Sequence, residues 1–257
     1  MIEFNLSVRD LVAFCHRCGD IDHRYTPSPS AEQGVEGHQR TYRRRADSYL
    51  PEYPVRYSHQ QGNVRLHLRG RADGFDPELG LVEEIKTCRV DPAKIPPAVS
   101  RLHLAQARVY AALIAEEHAL ETVDVQLTWL NIDTDAEVPL VQCYSRGELQ
   151  LFLDETLDAF SDWLALLGQR RHSRQVSLQA LSFPHGEFRH GQRTVAELAY
   201  KCIDQGGQAM LEAPTGIGKT AAVLYPALKA LGEDKHDALV FVTSRTVGRR
   251  SAEDCLG

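Results

Sequence analysis

The chain has 257 residues, 25% charged, 43% hydrophobic and 7% aromatic, the balance of a soluble globular protein with one large domain or two small ones. No apolar run approaches the roughly 18 residues of a membrane span. The opening Met1-Ile2-Glu3-Phe4 has no basic export signal, which makes the cytoplasm the simplest location. A net charge of −6 excludes a uniformly basic nucleic-acid coat, yet 23 of the 29 cationic residues are Arg. Biased genome composition accounts for that excess as well as phosphate binding does. The clusters Arg43-Arg44-Arg45, Arg65/Arg69/Arg71, Arg170/Arg171/Arg174 and Arg245/Arg249/Arg250 leave room for a locally basic groove.

In chain order, Ser7-Val8-Arg9-Asp10 reads as a capping start for a short helix to about Arg17. Pro27 and Pro29 mark a loop, and a second helix runs from Ser30 or Ala31 to about Ser48. The period then changes to two. Glu52 to Ser58, Val64 to Asp73 and Gly80 to Arg89 read as three strands of a meander, with turns at Gln60-Gln61-Gly62-Asn63 and Asp76-Pro77-Glu78. Pro96-Pro97 opens an Ala- and Leu-rich helix to about Glu117. Strands follow at Thr122 to Ile132 and Val138 to Tyr144, then an amphipathic helix from Leu149 to about Gly168.

The polar stretch 169–187 breaks this rhythm and reads as a linker between a domain at 1–168 and a second at 188–257. The second part reads as a helix (Arg193 to Gln205), a strand (Gln208 to Glu212), a Gly-rich loop, a helix (Gly218 to Leu231) and an apolar strand (Ala238 to Thr243). The six cysteines are scattered and form no disulfide framework. Cys15-x-x-Cys18, with His16 and His23 nearby, is half a zinc site without a second half.

The strongest signal is Glu212-Ala213-Pro214-Thr215-Gly216-Ile217-Gly218-Lys219-Thr220, a P-loop pattern with Ala213 in place of the first Gly. Gly216 and Gly218 let the backbone wrap phosphate oxygens, and the helix N-terminus supplies positive potential. Lys219 reaches the β- and γ-phosphates, and the Thr220 hydroxyl can hold Mg²⁺. A chance glycine turn would lack the apolar segment before it and the helix pattern after it.

Ala213 to Thr220 resembles the first motif of superfamily 2 helicases. Phe188-Arg189-His190-Gly191-Gln192 is similar to the entry motif of their DinG/XPD-like branch. Val240 to Arg250 is similar to that branch's DNA-contacting segment, and Pro226-Ala227-Leu228 also fits. The resemblance implies an ATP-dependent DNA helicase. It puts ATP on Pro214, Thr215, Gly216, Ile217, Gly218, Lys219 and Thr220, with Arg189 and Gln192 on the adenine side. Thr243, Ser244 and Arg245 would lie on the DNA backbone. No Asp-Glu-x-His motif and no second lobe occur in these residues. The expectation is therefore the incomplete start of a RecA-like P-loop domain, whose ATPase is inactive by itself.

The first domain carries Asp73, ten residues, then Glu84-Ile85-Lys86. Alternation puts Glu84 and Lys86 on one strand face, with Asp73 on the neighbouring strand. Paired carboxylates bind hard cations, and a Lys beside them can act on water and phosphate. Alone, this spacing is equally that of a solvated hairpin. With Gly34-x-x-x-His38 upstream and Gln106-x-x-x-Tyr110 downstream, it resembles RecB-type members of the PD-(D/E)xK nuclease superfamily. The resemblance implies a restriction-endonuclease-like αβββαβ fold within an α/β chain. His38, Asp73 and Glu84 would hold Mg²⁺ or Mn²⁺, with Asp73, Glu84 and Lys86 catalytic. Gln106 and Tyr110 would contact DNA or brace the site. The late cysteine triplet of the iron–sulfur members is missing, so no cluster is expected.

The whole reads as a metal-dependent DNA nuclease joined to the start of a DinG/XPD-type helicase acting in DNA repair or end processing. Its partners would be single-stranded or branched DNA and ATP, with no membrane. A non-catalytic DNA-binding module guiding the helicase, or an unrelated P-loop ATPase, would read similarly.

Overall fold

The computed structural model describes residues 1–19, 28–244 and 246–256. Pro27, His23 and Arg245 lie outside them. The chain divides into two compact units, Met1–Leu166 and Leu167–Gly257.

The first unit is a six-stranded mixed sheet flanked by helices. It opens with a strand that the sequence pattern does not announce, β1 (Ile2–Ser7), which runs parallel to β3 over Val64–Arg69. Its residues Ile2 to Leu6 are too few to show a clear period, and only β3 reveals their role. Ser7 then caps α1 (Val8–His16), accepting from the Asp10 N–H at 3.0 Å. Ser30 forms a full capping box with Gln33 at the start of α2 (Ala31–Tyr42). This helix stops short of Ser48 because 43–45 turn the chain.

Strands β2 (Leu50–Gln61), β3 (Val64–Asp76) and β4 (Leu81–Cys88) form the expected meander. Helix α3 (Pro97–Glu117) lies between β4 and β5 (Thr122–Asn131), which pair in parallel, and β6 (Glu137–Ser145) closes the far edge. Helix α3 is buried over most of its length because it packs against α1 as well as the sheet. Val64, Leu66, Leu68 and Ala72 of β3 meet it from one sheet face, and Leu149, Leu153, Leu157 and Phe160 of α4 (Arg146–Gln179) complete that core. Helix α4 continues to Gln179, through the stretch expected as a linker. Once a helix is under way, each further residue adds a hydrogen bond at little cost, and apart from Gly168 just before it the stretch 169–179 has no Gly or Pro.

One irregularity of β3 governs the site. Ala72 and Phe75 both face the core although they are three residues apart, so the alternation slips between them. On β2, Glu52 stands opposite Asp73, between the pairs Pro51–Gly74 and Tyr53–Ala72. Its φ of 55° is left-handed, a backbone state costly for a residue with a side chain. On the other side, β3 pairs with β1 up to Arg69 and with β4 only from Gly74. Asp73 therefore sits in a fork where β3 has left β1 and has not yet joined β4.

The second unit contains the end of α4, α5 (Gln192–Asp204), α6 (Lys219–Gly232) and α7 (Thr246–Leu256). Arg171 pairs with Asp234 at 2.6 Å, and the Lys229 ammonium donates to the Gln179 carbonyl at 2.8 Å. The two expected strands do not form. Residues 207–214 and 238–243 form no strand among the described residues. Met210 is fully exposed, and Val240 and Val242 are more than 80% exposed. An apolar alternating run marks chain suited to a sheet, but a strand exists only with a neighbour to accept its hydrogen bonds. No helix of the described residues is long and apolar enough to cross a membrane.

Candidate active site

The fork gathers four of the expected residues. Asp73 Oδ2 accepts from the Ile85 N–H at 2.7 Å, in a place where a β3 carbonyl would otherwise extend the ladder. Its other oxygen lies 3.6 Å from His38 Nδ1, carried in by α2. The α2 backbone can come this close to the sheet because Gly37 has no side chain to strike Thr87 and Leu130. Lys86 Nζ is 3.9 Å from Asp73 Oδ2, and its ammonium donates to Glu84 Oε1 and, at 3.2 Å, to the Ile85 carbonyl.

Glu84 is wholly buried. Burial and the neighbouring Asp73 charge push its carboxyl up to about 8, against the pull of Lys86 and Arg9. Burial alone would lower the Lys86 ammonium, but Glu84 and Asp73 outweigh it and hold it above the usual lysine range. Glu84 Oε2 is buried with no hydrogen-bond partner. An orphaned carboxylate oxygen next to a second carboxylate has the donor chemistry for a hard divalent cation. Among the described residues, however, no three His, Cys, Asp or Glu side chains converge as a metal cage. The Lys86 ammonium supplies the positive charge between the two acids.

Gln106 and Tyr110 lie beside this site on α3. Tyr110 is buried. Its hydroxyl is held by the Gln106 side chain and the Arg71 backbone, and burial, Glu84 and Asp73 raise it above the ordinary tyrosine range. It reaches the fork because Gly70 is bare: a Cβ there would stand 2.8 Å from the Tyr110 ring. Two further neighbours are not evident from the sequence motifs. His103 shares the stripe of Gln106 and Tyr110, at spacings of three and seven. Its Nδ1 is buried without a partner, and burial, Lys86 and Arg9 push it down to about 4. The 103–106–110 stripe is the signal that could have found it. Arg9 enters from the first turn of α1, and nothing local marks it.

In the second unit, Gly216 and Gly218 take φ of 86° and 82°, and Gly218 caps α6. Lys219 Nζ donates to the Ala213 and Pro214 carbonyls, each at 2.8 Å. The entry motif packs on the loop. Arg189 Nη1 donates to the Gly216 carbonyl at 2.7 Å, and Gln192, only 1% exposed, donates through Nε2 to the Gly218 carbonyl at 3.1 Å. A side chain at 218 would collide with that amide. Pro214, Thr215, Ile217 and Thr220 complete the loop. Thr243 and Ser244 lie on the exposed segment before α7, where Thr243 meets the bare backbone of Gly248.

Residues 191–255 match the DEAD/DEAH box helicase family model, a span that begins at Gly191 within the entry motif and includes the whole P-loop. No curated protein matches the chain. A solved structure described as the crystal structure of SSO0001 aligns with a TM-score of 0.39 at 18% identity, covering 60% of this chain and 76% of its own. That likeness is too slight to bear on the fold.

Proposed function

We propose that the chain is a metal-dependent DNA nuclease joined to the start of an ATP-dependent helicase lobe of the DinG/XPD type. The observation that carries the nuclease reading is the fork itself. An irregular strand, a left-handed Glu52 and a buried, half-satisfied Glu84 are costly, and costs of this kind concentrate where chemistry is done.

Asp73 and Glu84 would hold Mg²⁺ or Mn²⁺ with His38 beside them. The bound cation would supply Lewis acidity toward a phosphodiester and acidify a water. Lys86 would hold the attacking water and offset charge gathering on the phosphate. Hydrolysis adds water across one P–O ester bond, leaving a phosphate and a sugar hydroxyl. Tyr110 and Gln106 keep Asp73 and β3 in place. On the other unit, the P-loop takes ATP, with Lys219 leaving its two carbonyls for the phosphates and Arg189 and Gln192 keeping the loop open.

The test is cleavage of single-stranded and branched DNA with Mn²⁺, comparing wild type with Asp73→Ala. Wild-type cleavage that falls by roughly 10²–10⁴-fold supports catalysis, the loss expected when several kcal/mol of charge stabilisation go. Equal cleavage by both proteins refutes it. The closing of the carboxylate pair by Lys86 favours a second reading, a DNA-binding module without catalysis. Binding with no cleavage by either protein would establish that one. For the other unit, Lys219→Ala should abolish binding of a fluorescent ATP analogue; unchanged binding would remove the P-loop from the reading.

A further inference from the structure

The sheet face opposite the α3 core carries a row of cations that leads to the fork. On β3, Val64, Leu66 and Leu68 turn inward, so Arg65, His67, Arg69 and Arg71 turn outward. On β2, Val55 is buried and Arg56 and Ser58 face out beside them. Alternate strand residues stand about 6.6 Å apart, so Arg69 and Arg71 lie two steps and one step before Asp73.

Two of these cations are placed at a cost. Arg56 and Arg69 are direct partners across the β2–β3 ladder. Like charges directly opposite each other weaken a sheet. Both are exposed, and among the described residues neither has an ion pair or a side-chain hydrogen bond. The carboxylates on this face are spent elsewhere: Glu3 lies 3.6 Å from Arg65, and Glu52 lies 2.7 Å from Arg71. Arg56, Arg69, Ser58, His67 and Asn5 line a groove of about 490 Å³, and Ser58 Oγ and His67 Nδ1 are 3.1 Å apart. The groove also adjoins the end of β1, where Ser7 pairs with Arg69 and the chain leads into exposed Arg9. An acidic protein that keeps two unneutralised arginines face to face has a use for an anion between them.

We propose that Arg56 and Arg69 form a phosphate clamp that grips the backbone of a DNA single strand and directs it along β3 toward Asp73. The end point of this path rests on the nuclease reading; the clamp does not. Guanidiniums bind phosphate oxygens through paired N–H donors, and a sheet face with Arg65, His67, Arg69 and Arg71 at successive outward positions meets successive phosphates of an extended strand. The groove reads no base, so binding is insensitive to sequence and sensitive to salt.

The experiment is fluorescence anisotropy of a fluorescein-labelled oligothymidylate with the full chain in EDTA, where cleavage does not intervene. Arg56→Ala/Arg69→Ala should bind at least about tenfold more weakly. Its slope of log K against log salt should be shallower by about 1.4, or about 0.7 for each phosphate that is no longer neutralised. The pair Lys94→Ala/Lys201→Ala removes equal charge at exposed positions outside the arginine clusters and should bind like wild type. The melting temperature of the clamp variant should hold or rise, because the like-charge pair is gone, which separates weaker binding from failed folding. A clamp variant with wild-type affinity and slope overturns the proposal, as does a control pair that weakens binding equally. If Asp73→Ala and wild type cleave alike while the clamp variant still binds more weakly, the nuclease reading fails and the clamp stands.

Discussion

Glu83 and Glu84 are adjacent on β4 and equally buried, yet they live in opposite electrostatic worlds. Glu83 turns to the face covered by the α2–β2 connection. Arg45 grips it with Nε and Nη2 at 2.9 and 2.7 Å, Tyr49 donates at 2.8 Å, Gln126 Nε2 at 2.8 Å, and Thr128 adds a short hydrogen bond. Burial alone would raise its carboxyl, but Arg45, Thr128 and Tyr49 hold it below the usual range. Glu84, one residue on, has the Lys86 ammonium on one oxygen and nothing on the other, beside a second carboxylate. A buried acid with every lone pair satisfied is a structural tie; one left half-satisfied is available for a ligand. Two identical side chains thus divide scaffold from site.

The contrast can be broken most forcefully at Glu83. Glu83→Gln should destabilise the first unit by about 3 kcal/mol, the low end for removing one partner of a buried pair, because Arg45 keeps Glu137 at 2.9 Å. Trp129 and Trp163 both lie in this unit, so urea unfolding followed by tryptophan fluorescence reads it alone. A shift below about 0.5 kcal/mol, the size of an ordinary surface change, would make Glu83 no tie at all.

Gly74→Ala presses on the same network from the side. A Cβ at 74 runs into the Tyr49 hydroxyl that donates to Glu83. The expected loss is about 1–3 kcal/mol, typical of overpacking. Combined with Tyr49→Ala, which removes the ring and hydroxyl that the Cβ would strike, the alanine should cost clearly less. Strict additivity of the two would show that Tyr49 is not what the glycine accommodates.

The smallest stability change, and the one of opposite sign, is expected at Glu84. A carboxyl raised in the folded state costs nothing where both states are protonated. Its cost grows as pH rises past the ordinary glutamate value and is complete above about 8. Glu84→Gln in EDTA should therefore melt like wild type near pH 4 and about 2–4 °C higher above about pH 8, roughly 1 kcal/mol after Lys86 loses its partner. Glu83 runs the other way: its depressed carboxyl gives stability above the ordinary glutamate range, lost as pH falls through the folded value. Melting curves of Glu84→Gln that fall below wild type at high pH would make Glu84 as structural as its neighbour.

Much of the first unit is legible in its sequence. The β2–β4 meander, α3 and the strand pair after it follow from period and turn residues, and Asp73, Glu84, Lys86 and His38 do come together at the fork. Tyr110 and Gln106 stand out as a pair, and they lie side by side on α3 next to the fork, Tyr110 buried and Gln106 half-buried. The left-handed Glu52 carries no mark, because a backbone angle is imposed by the neighbours on either side. Two segments of the second unit have the right composition for strands, yet among the described residues they pair with no strand.

The P-loop needs nothing beyond its own residues to be recognised, since glycine, lysine and threonine at fixed spacing are sufficient for a local turn that wraps phosphate. Spacing also marks which side chains of the first unit could do acid, base and metal chemistry. That Glu84 is left half-satisfied while Glu83 is tied down, and that Arg56 stands across from Arg69, emerges only once the strands are paired and packed. Those outcomes depend on register between strands far apart in the chain, and a carboxylate's affinity for a proton depends on what is packed around it rather than on its place in the sequence.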